Sequence, residues 1–181
     1  MKKSIRLMGY FFLVTFLFSC NNVTTKQSNT KKVKELTSMT AKDILGNPDY
    51  LAMSYGGYRH VNHDIEPTID ELKDDMKLLS AMGVKIIRTY KVHLPQASNI
   101  LKAISELKKE DPSYEMYVML GAWIDCKNAF SDKEPDHNAE NEANGPQIEE
   151  AVRLANKYPD IVKVVAVGNE AMVNWAASYY V

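Results

Sequence analysis

Short apolar runs alternate with amphipathic segments between residues 50 and 181, and this alternation constrains the fold of the chain more than any other feature. The apolar runs predict four strands, at residues 51–55, 84–90, 116–121 and 161–167. Segments with apolar residues at helical spacing separate the strands. The order strand, helix, strand, helix is typical of βαβ units, which build parallel sheets.

The predicted fold class is α/β. Strands with apolar residues at consecutive positions indicate that both faces of the sheet are buried. Both a doubly wound sheet and a (β/α)8 barrel meet this condition. No glycine-rich fingerprint G-x-G-x-x-G follows the first strand, which disfavours a nucleotide-binding doubly wound sheet. We therefore expect a (β/α)8 TIM barrel, truncated to about its first four βα units.

Local signals place the ends of the helices. Thr68 and Glu71 match a capping box, which predicts a helix start, and Gly83 is a predicted C′ residue. A later helix is expected to begin at Gly145-Pro146, with the proline at N1. One apolar face of that helix should be buried, formed by Ile148, Val152, Ala155 and Tyr158. The polar composition of residues 122–144 predicts a long loop.

The N-terminus has the order of an export signal. A basic segment precedes a twelve-residue apolar run, 7–18, which is too short for a helix to span a hydrocarbon core of about 30 Å. Residues 17–20 are similar to a bacterial lipobox, with Cys20 as the residue to be lipidated. An ordinary secretory peptide with an incidental cysteine is the alternative. We expect export and a lipid anchor in the bacterial cell envelope.

These signals predict three regions: a signal peptide at 1–19, a flexible tether at 20–47 and a folded domain at 48–181. The 181-residue chain has a formal net charge of −1 with mixed signs, which gives no reason to expect a nucleic-acid partner. A lipid on Cys20 would leave Cys126 without an intrachain disulfide partner. We predict no cofactor and no metal site.

Polar and aromatic residues follow the predicted strands, at the end where a barrel carries its functional groups. They include Tyr55, Arg88, Tyr90, Asn169 and Glu170. Aromatic faces and hydrogen-bonding groups suit a sugar, which has apolar C–H faces and many hydroxyls. Structural roles are the alternatives: the acid as a helix cap, the tyrosines as core residues and the arginine in an ion pair.

Three of these strand ends together resemble a known family. Tyr55-Gly56, then Arg88 with Tyr90, then Val167-Gly168-Asn169-Glu170 are similar to the corresponding strands of glycoside hydrolase family 17, which cleaves or rearranges β-1,3-glucans. The resemblance covers roughly residues 50 to 181. It implies a retaining glycosidase that binds a β-glucan.

The resemblance also implies roles for individual residues. Glu170 would be the general acid that protonates the departing glycosidic oxygen and then the base for water. Asn169 would bind the 2-hydroxyl of the sugar, Arg88 would contribute to the substrate site, and Tyr55 and Tyr90 would line its floor. Trp123 and Trp175 either stack on glucose units or pack in the core.

A retaining mechanism needs a second carboxylate about 5–5.5 Å from the first. In the family this nucleophile lies on the seventh strand, beyond the four strands predicted here, after which Met172, Trp175, Ala176 and Tyr179 indicate the start of a helix. We expect a fragment without the nucleophile half, inactive by itself. The alternative is a non-catalytic carbohydrate-binding surface lipoprotein or a truncated pseudoenzyme.

Overall fold

A four-stranded parallel sheet is the centre of the fold. The computed structural model describes residues 39–180. The four strands are β1 (Leu51–Ser54), β2 (Val84–Arg88), β3 (Tyr117–Ala122) and β6 (Val162–Val167). They lie side by side in the order β1-β2-β3-β6. All four are at the positions that the apolar runs predicted.

The order of the strands separates the two candidate architectures. A doubly wound sheet reverses its strand order at a switch point. In the described residues, the four strands of this sheet instead lie side by side in the order in which they occur along the chain. The protein therefore has an α/β fold whose sheet is ordered like a segment of a barrel wall.

Three long helices cover one face of the sheet: α2 (Ile69–Ala81), α3 (Pro95–Glu110) and α4 (Asn144–Lys157). Ile87, Val118 and Leu120 are fully buried in the cluster that these helices form with the sheet. The two capping residues of α2 bond reciprocally, because the Glu71 N–H donates to Thr68 Oγ1 and the Thr68 N–H donates to Glu71 Oε2. The predicted capping box is confirmed.

The other face of the sheet carries a smaller cluster. Ile86 and Tyr117 belong to it, each one residue away from a member of the main cluster, as the alternation of strand side chains requires. The short helix α1 (Ala41–Ile44) places Ile44, which is 1% exposed, against them. Packed structure therefore includes residues before 48, within the segment that the sequence predicted as the tether.

The helix α4 differs from its prediction in both start and buried face. It begins at Asn144, so Pro146 occupies its third position and not N1. Ile148 and Val152 are 45% and 53% exposed, so the first half of the predicted apolar face is wrong, whereas Ala155 and Tyr158 pack against the main cluster as predicted. The buried residues of the helix are Asn144, Gln147, Ala151 and Leu154. Two amides fill the first turn of this face because they have hydrogen-bond partners there.

Two further segments depart from the sequence-based expectation. The predicted loop contains an antiparallel pair, β4 (Cys126–Lys127) with β5 (Asp136–Glu140). The segment 170–180 consists of turns and bends, and the helix expected there is absent from the described residues. Met172 and Trp175 are exposed instead of lining a helix face.

The predicted signal peptide, Cys20 and most of the predicted tether lie outside the described residues. Between residues 39 and 180, no helix is long and apolar enough to cross a membrane.

Candidate functional site

The carboxyl ends of the four parallel strands meet at one edge of the sheet. Ser54 pairs with Arg88, and Ala122 pairs with Val167. The Gly168 N–H then donates to the Ala122 carbonyl over 2.8 Å. The residues that follow these strands are therefore gathered along a single edge, as the sequence predicted.

Arg88, Tyr90 and Asn169 are in direct contact at this edge. The guanidinium of Arg88 donates through Nη2 to Asn169 Oδ1 over 2.9 Å. Its central carbon also lies 4.8 Å from the centre of the Tyr90 ring, a cation–π arrangement. Arg88 thus fixes the orientation of the Asn169 amide, whose nitrogen carries the donors that a sugar hydroxyl can use.

A glycine makes this approach of β2 and β3 possible. A Cβ on Gly121 would lie 2.5 Å from the carbonyl oxygens of Thr89 and of Tyr90. The Gly121 N–H donates to Thr89 Oγ1 over 3.1 Å, so a hydrogen bond also joins β3 to the residue that follows β2. Only a residue without a side chain lets the Tyr90 backbone lie this close to β3.

Glu170 occupies a turn directly after this cluster. Its φ of 57° is in the left-handed region, which few non-glycine residues adopt. Its carbonyl accepts from the Val173 N–H over 3.1 Å, and the residue is exposed. Residues other than glycine, asparagine and aspartate keep a left-handed backbone conformation only where the surrounding structure maintains it, and such residues are often found at functional sites.

Tyr55 lies beside Arg88 but its hydroxyl faces α2. The Tyr55 N–H donates to the Arg88 carbonyl over 3.0 Å, whereas the hydroxyl donates to Asp75 Oδ2 over 2.6 Å. Asp75 is also paired with Arg59 over 2.7 Å. Burial and the Asp75 carboxylate raise the pKa of Tyr55. The predicted role of Tyr55 in the floor of the site is therefore not supported for its hydroxyl, which is already bonded.

Sequence reasoning missed a cavity of about 410 Å³ next to this cluster. Its lining comes from the segments that follow β2 and β3 and consists of Lys91, His93, Trp123, Asp125 and Phe130. Trp123 had two open roles in the sequence, and the structure places it in this lining. The alternation of apolar residues gave no signal for the cavity, because its walls are loops.

The described residues contain no group of three or more His, Cys, Asp or Glu side chains that could hold a metal ion. Cys126 is buried and free, with its thiol donating to the Ala177 carbonyl over 3.3 Å. The strand-end cluster of Arg88, Tyr90 and Asn169, with Glu170 next in the chain, offers hydrogen-bonding groups, an aromatic face and a carboxyl group.

The fold and the site define an α/β protein whose polar residues gather at the carboxyl edge of a parallel sheet. No protein-family model matches the chain, and no curated protein matches it. Among solved structures it is similar to an endo-laminarinase from Formosa Hel1_33_131, with 63% sequence identity and a TM-score of 0.76. The match covers 79% of this chain and 36% of the endo-laminarinase chain. The chain thus spans just over a third of the length of that structure.

Proposed function

We propose that this chain belongs to glycoside hydrolase family 17 and carries the acid/base part of a retaining β-1,3-glucan hydrolase with a (β/α)8 barrel. The observation that carries the proposal is the 63% identity to an endo-laminarinase over 79% of the chain. The bonded set of Arg88, Tyr90 and Asn169, with Glu170 next in the chain, supports it independently.

In the proposed mechanism Glu170 protonates the glycosidic oxygen as the bond to the leaving sugar breaks. The same residue, then ionised, removes a proton from the water that releases the sugar. Asn169 donates to the 2-hydroxyl, a contact that strengthens as positive charge develops on the sugar ring. Arg88 holds the Asn169 amide through the 2.9 Å hydrogen bond, which leaves the amide nitrogen free for the sugar.

The mechanism also needs a carboxylate nucleophile about 5–5.5 Å from Glu170. The family resemblance places that group on a seventh strand, outside residues 1–181. We therefore expect residues 1–181 by themselves to bind β-1,3-glucan without hydrolysing it. We further propose that the protein is exported and attached to the cell envelope through a lipid on Cys20.

A hybrid enzyme tests the proposal. The segment of the endo-laminarinase that matches this chain is replaced by the corresponding residues of this chain, and reducing ends released from β-1,3-glucan are followed. We expect the hybrid to hydrolyse the glucan and Glu170→Gln to lower the rate by about 10²–10⁴-fold. Glu149→Gln, at an exposed glutamate of α4, is the matched control and should leave the rate unchanged.

Two outcomes would contradict the proposal. A Glu170→Gln hybrid as active as the unaltered hybrid would remove Glu170 from the mechanism. A folded hybrid that binds β-1,3-glucan without cleaving it would instead favour a carbohydrate-binding role for this chain.

A further inference from the structure

The cavity beside the strand-end cluster is built from two loops that leave the sheet at neighbouring points. Lys91 and His93 follow β2, and Trp123 is the first residue after β3. Ala122, which precedes Trp123, accepts from the Gly168 N–H. Trp123, the first residue of the cavity wall after β3, therefore lies at the same height along the strands as the start of the Asn169-Glu170 turn after β6. The cavity volume of about 410 Å³ lies within the range of small-ligand sites, about 300–1,000 Å³.

An aromatic surface with a fixed orientation forms one wall of the cavity. The indole N–H of Trp123 donates to Asp125 Oδ1, which restricts rotation of the half-buried ring. Phe130 lies 6.2 Å from it, centre to centre, with the ring planes 56° apart. Phe130 is 69% exposed and has a φ of 58°, so its side chain is presented to solvent from a left-handed residue.

Two buried amides at the start of α4 hold the walls in place. Asn144 accepts from the Asp125 N–H over 3.0 Å and donates to the Asp125 carbonyl over 2.9 Å. Gln147 accepts from the Val92 N–H over 3.1 Å. Each amide side chain belongs to a residue that is only 4% exposed. One helix turn thus fixes the loop after β3 through Asn144 and the loop after β2 through Gln147.

The contact between Gln147 and His93 sets the hydrogen-bonding character of the imidazole. Because Gln147 Oε1 is occupied by the Val92 N–H, its Nε2 faces His93 Nδ1 as the donor. Partial burial and the ammonium of Lys91 lower the pKa of His93. A neutral imidazole that accepts at Nδ1 carries its proton on Nε2, which can donate to a ligand.

From these contacts we infer that the cavity is a binding subsite for a glucose unit of the glucan, with Trp123 as the stacking surface and Asp125 as the hydroxyl acceptor. The inference rests on the proposed function. A sugar ring offers an apolar C–H face to an indole and hydroxyls to flanking acceptors and donors. Asp125 holds Trp123 with one oxygen, which leaves its second oxygen for a hydroxyl. Asn144 and Gln147 are positioning residues, because they act through the loops that they hold.

Intrinsic fluorescence of the 181-residue chain can report on the subsite. The chain has two tryptophans, and Trp175 is 86% exposed in the segment after Glu170. Trp175→Phe therefore leaves Trp123 as the single tryptophan reporter, and calorimetry compares the affinity of this variant with that of the unaltered chain. The probe is a pentasaccharide of β-1,3-linked glucose, and an α-1,4-linked glucose pentasaccharide is the linkage control.

We expect the β-1,3-linked pentasaccharide to change Trp123 fluorescence with a saturable curve. Binding measured by calorimetry should weaken roughly tenfold or more in Trp123→Ala, because a central aromatic anchor is lost. Asp125→Asn should bind more tightly than Asp125→Ala, since the amide oxygen can still accept from the indole. Circular dichroism and the urea midpoint establish that each variant is folded, and Asp125→Asn tests the inference even if Trp123→Ala unfolds.

The outcomes separate the subsite from the proposed function. Unchanged affinity in Trp123→Ala together with weaker binding in Asn169→Ala would overturn the subsite and leave the proposed function standing. Equal binding of both pentasaccharides through Trp123 would support a sugar subsite and contradict β-1,3-glucan as its ligand. No binding of either pentasaccharide would overturn the subsite, while the hybrid enzyme would still decide the proposed function.

Discussion

Replacing Asn144 by alanine should destabilise the protein, because its side chain holds the loop that follows β3. The Asn144 side chain makes two hydrogen bonds, both to the backbone of Asp125, at 3.0 and 2.9 Å. Asn144→Ala removes both and leaves an N–H and a carbonyl of a half-buried residue without their partners.

The expected loss of stability follows from these two groups. An unsatisfied buried polar group costs about 1–3 kcal/mol. Asp125 is half-buried, so water can partly replace the lost amide, and the lower end of the range applies to each group. The free energy of unfolding should therefore fall by about 2 kcal/mol, which corresponds to a decrease in Tm of about 4–8 °C.

Urea unfolding followed by circular dichroism measures the difference. Asn156→Ala, at an exposed position of the same helix, is the matched control and should be neutral or slightly stabilising, because alanine has the higher helix propensity. A loss below about 0.5 kcal/mol in Asn144→Ala, or a loss equal to that of Asn156→Ala, would refute the positioning role of Asn144.

Three other changes test the remaining parts of the structure. Gly121→Ala should destabilise the protein by about 3 kcal/mol or more, since its Cβ would lie 2.5 Å from backbone oxygens. Gly145→Ala should not destabilise it, because a Cβ at that position meets no atom within 4 Å. Equal urea midpoints for the two variants would contradict this reading of the β2–β3 contact. Burial raises the pKa of Tyr114 and of Tyr117 from 10.0 to about 12, so the folded state favours the neutral phenols. Their contribution to stability is complete below pH 10 and is lost as the pH rises toward 12. An unfolding free energy that does not fall between pH 10 and 12 would contradict this contribution. A fall in Tyr114→Phe that is no smaller than in the unaltered protein would contradict it too. Cys20→Ala should release the exported protein from the membrane fraction and abolish the mass increase of lipidation, and continued membrane retention would count against a lipid anchor.

The regular elements were predictable because they satisfy simple conditions on side-chain burial. Each strand has apolar residues at consecutive positions and is found where the sequence placed it. The capping box at Thr68 and Glu71 is a local motif that needs no tertiary information, and its two backbone bonds are present. Arg88, Tyr90 and Asn169 come together because parallel strands end at the same edge.

The errors occurred where polar groups replace apolar ones in the interior. The first half of the buried face of α4 was assigned to Ile148 and Val152, yet Asn144 and Gln147 are the residues buried there. Their burial is favourable only because specific backbone groups of distant loops accept and donate to them, and these partners cannot be read from the spacing of residues. The same reason applies to Tyr55, whose bonding to Asp75 across 20 residues decides where its hydroxyl lies.

The central claim, that Glu170 is the acid/base, is tested most directly by comparing two substrates in the hybrid enzyme. Glu170→Ala should lower hydrolysis of β-1,3-glucan by about 10²–10⁴-fold, because the poor leaving group needs a proton. A dinitrophenyl β-glucoside of a β-1,3-linked oligosaccharide has a leaving group that needs none, so formation of the glycosyl-enzyme, measured as the burst of dinitrophenol, should be nearly unchanged. Equal losses of rate for the glucan and for the dinitrophenol burst would contradict the assignment of Glu170 as the general acid.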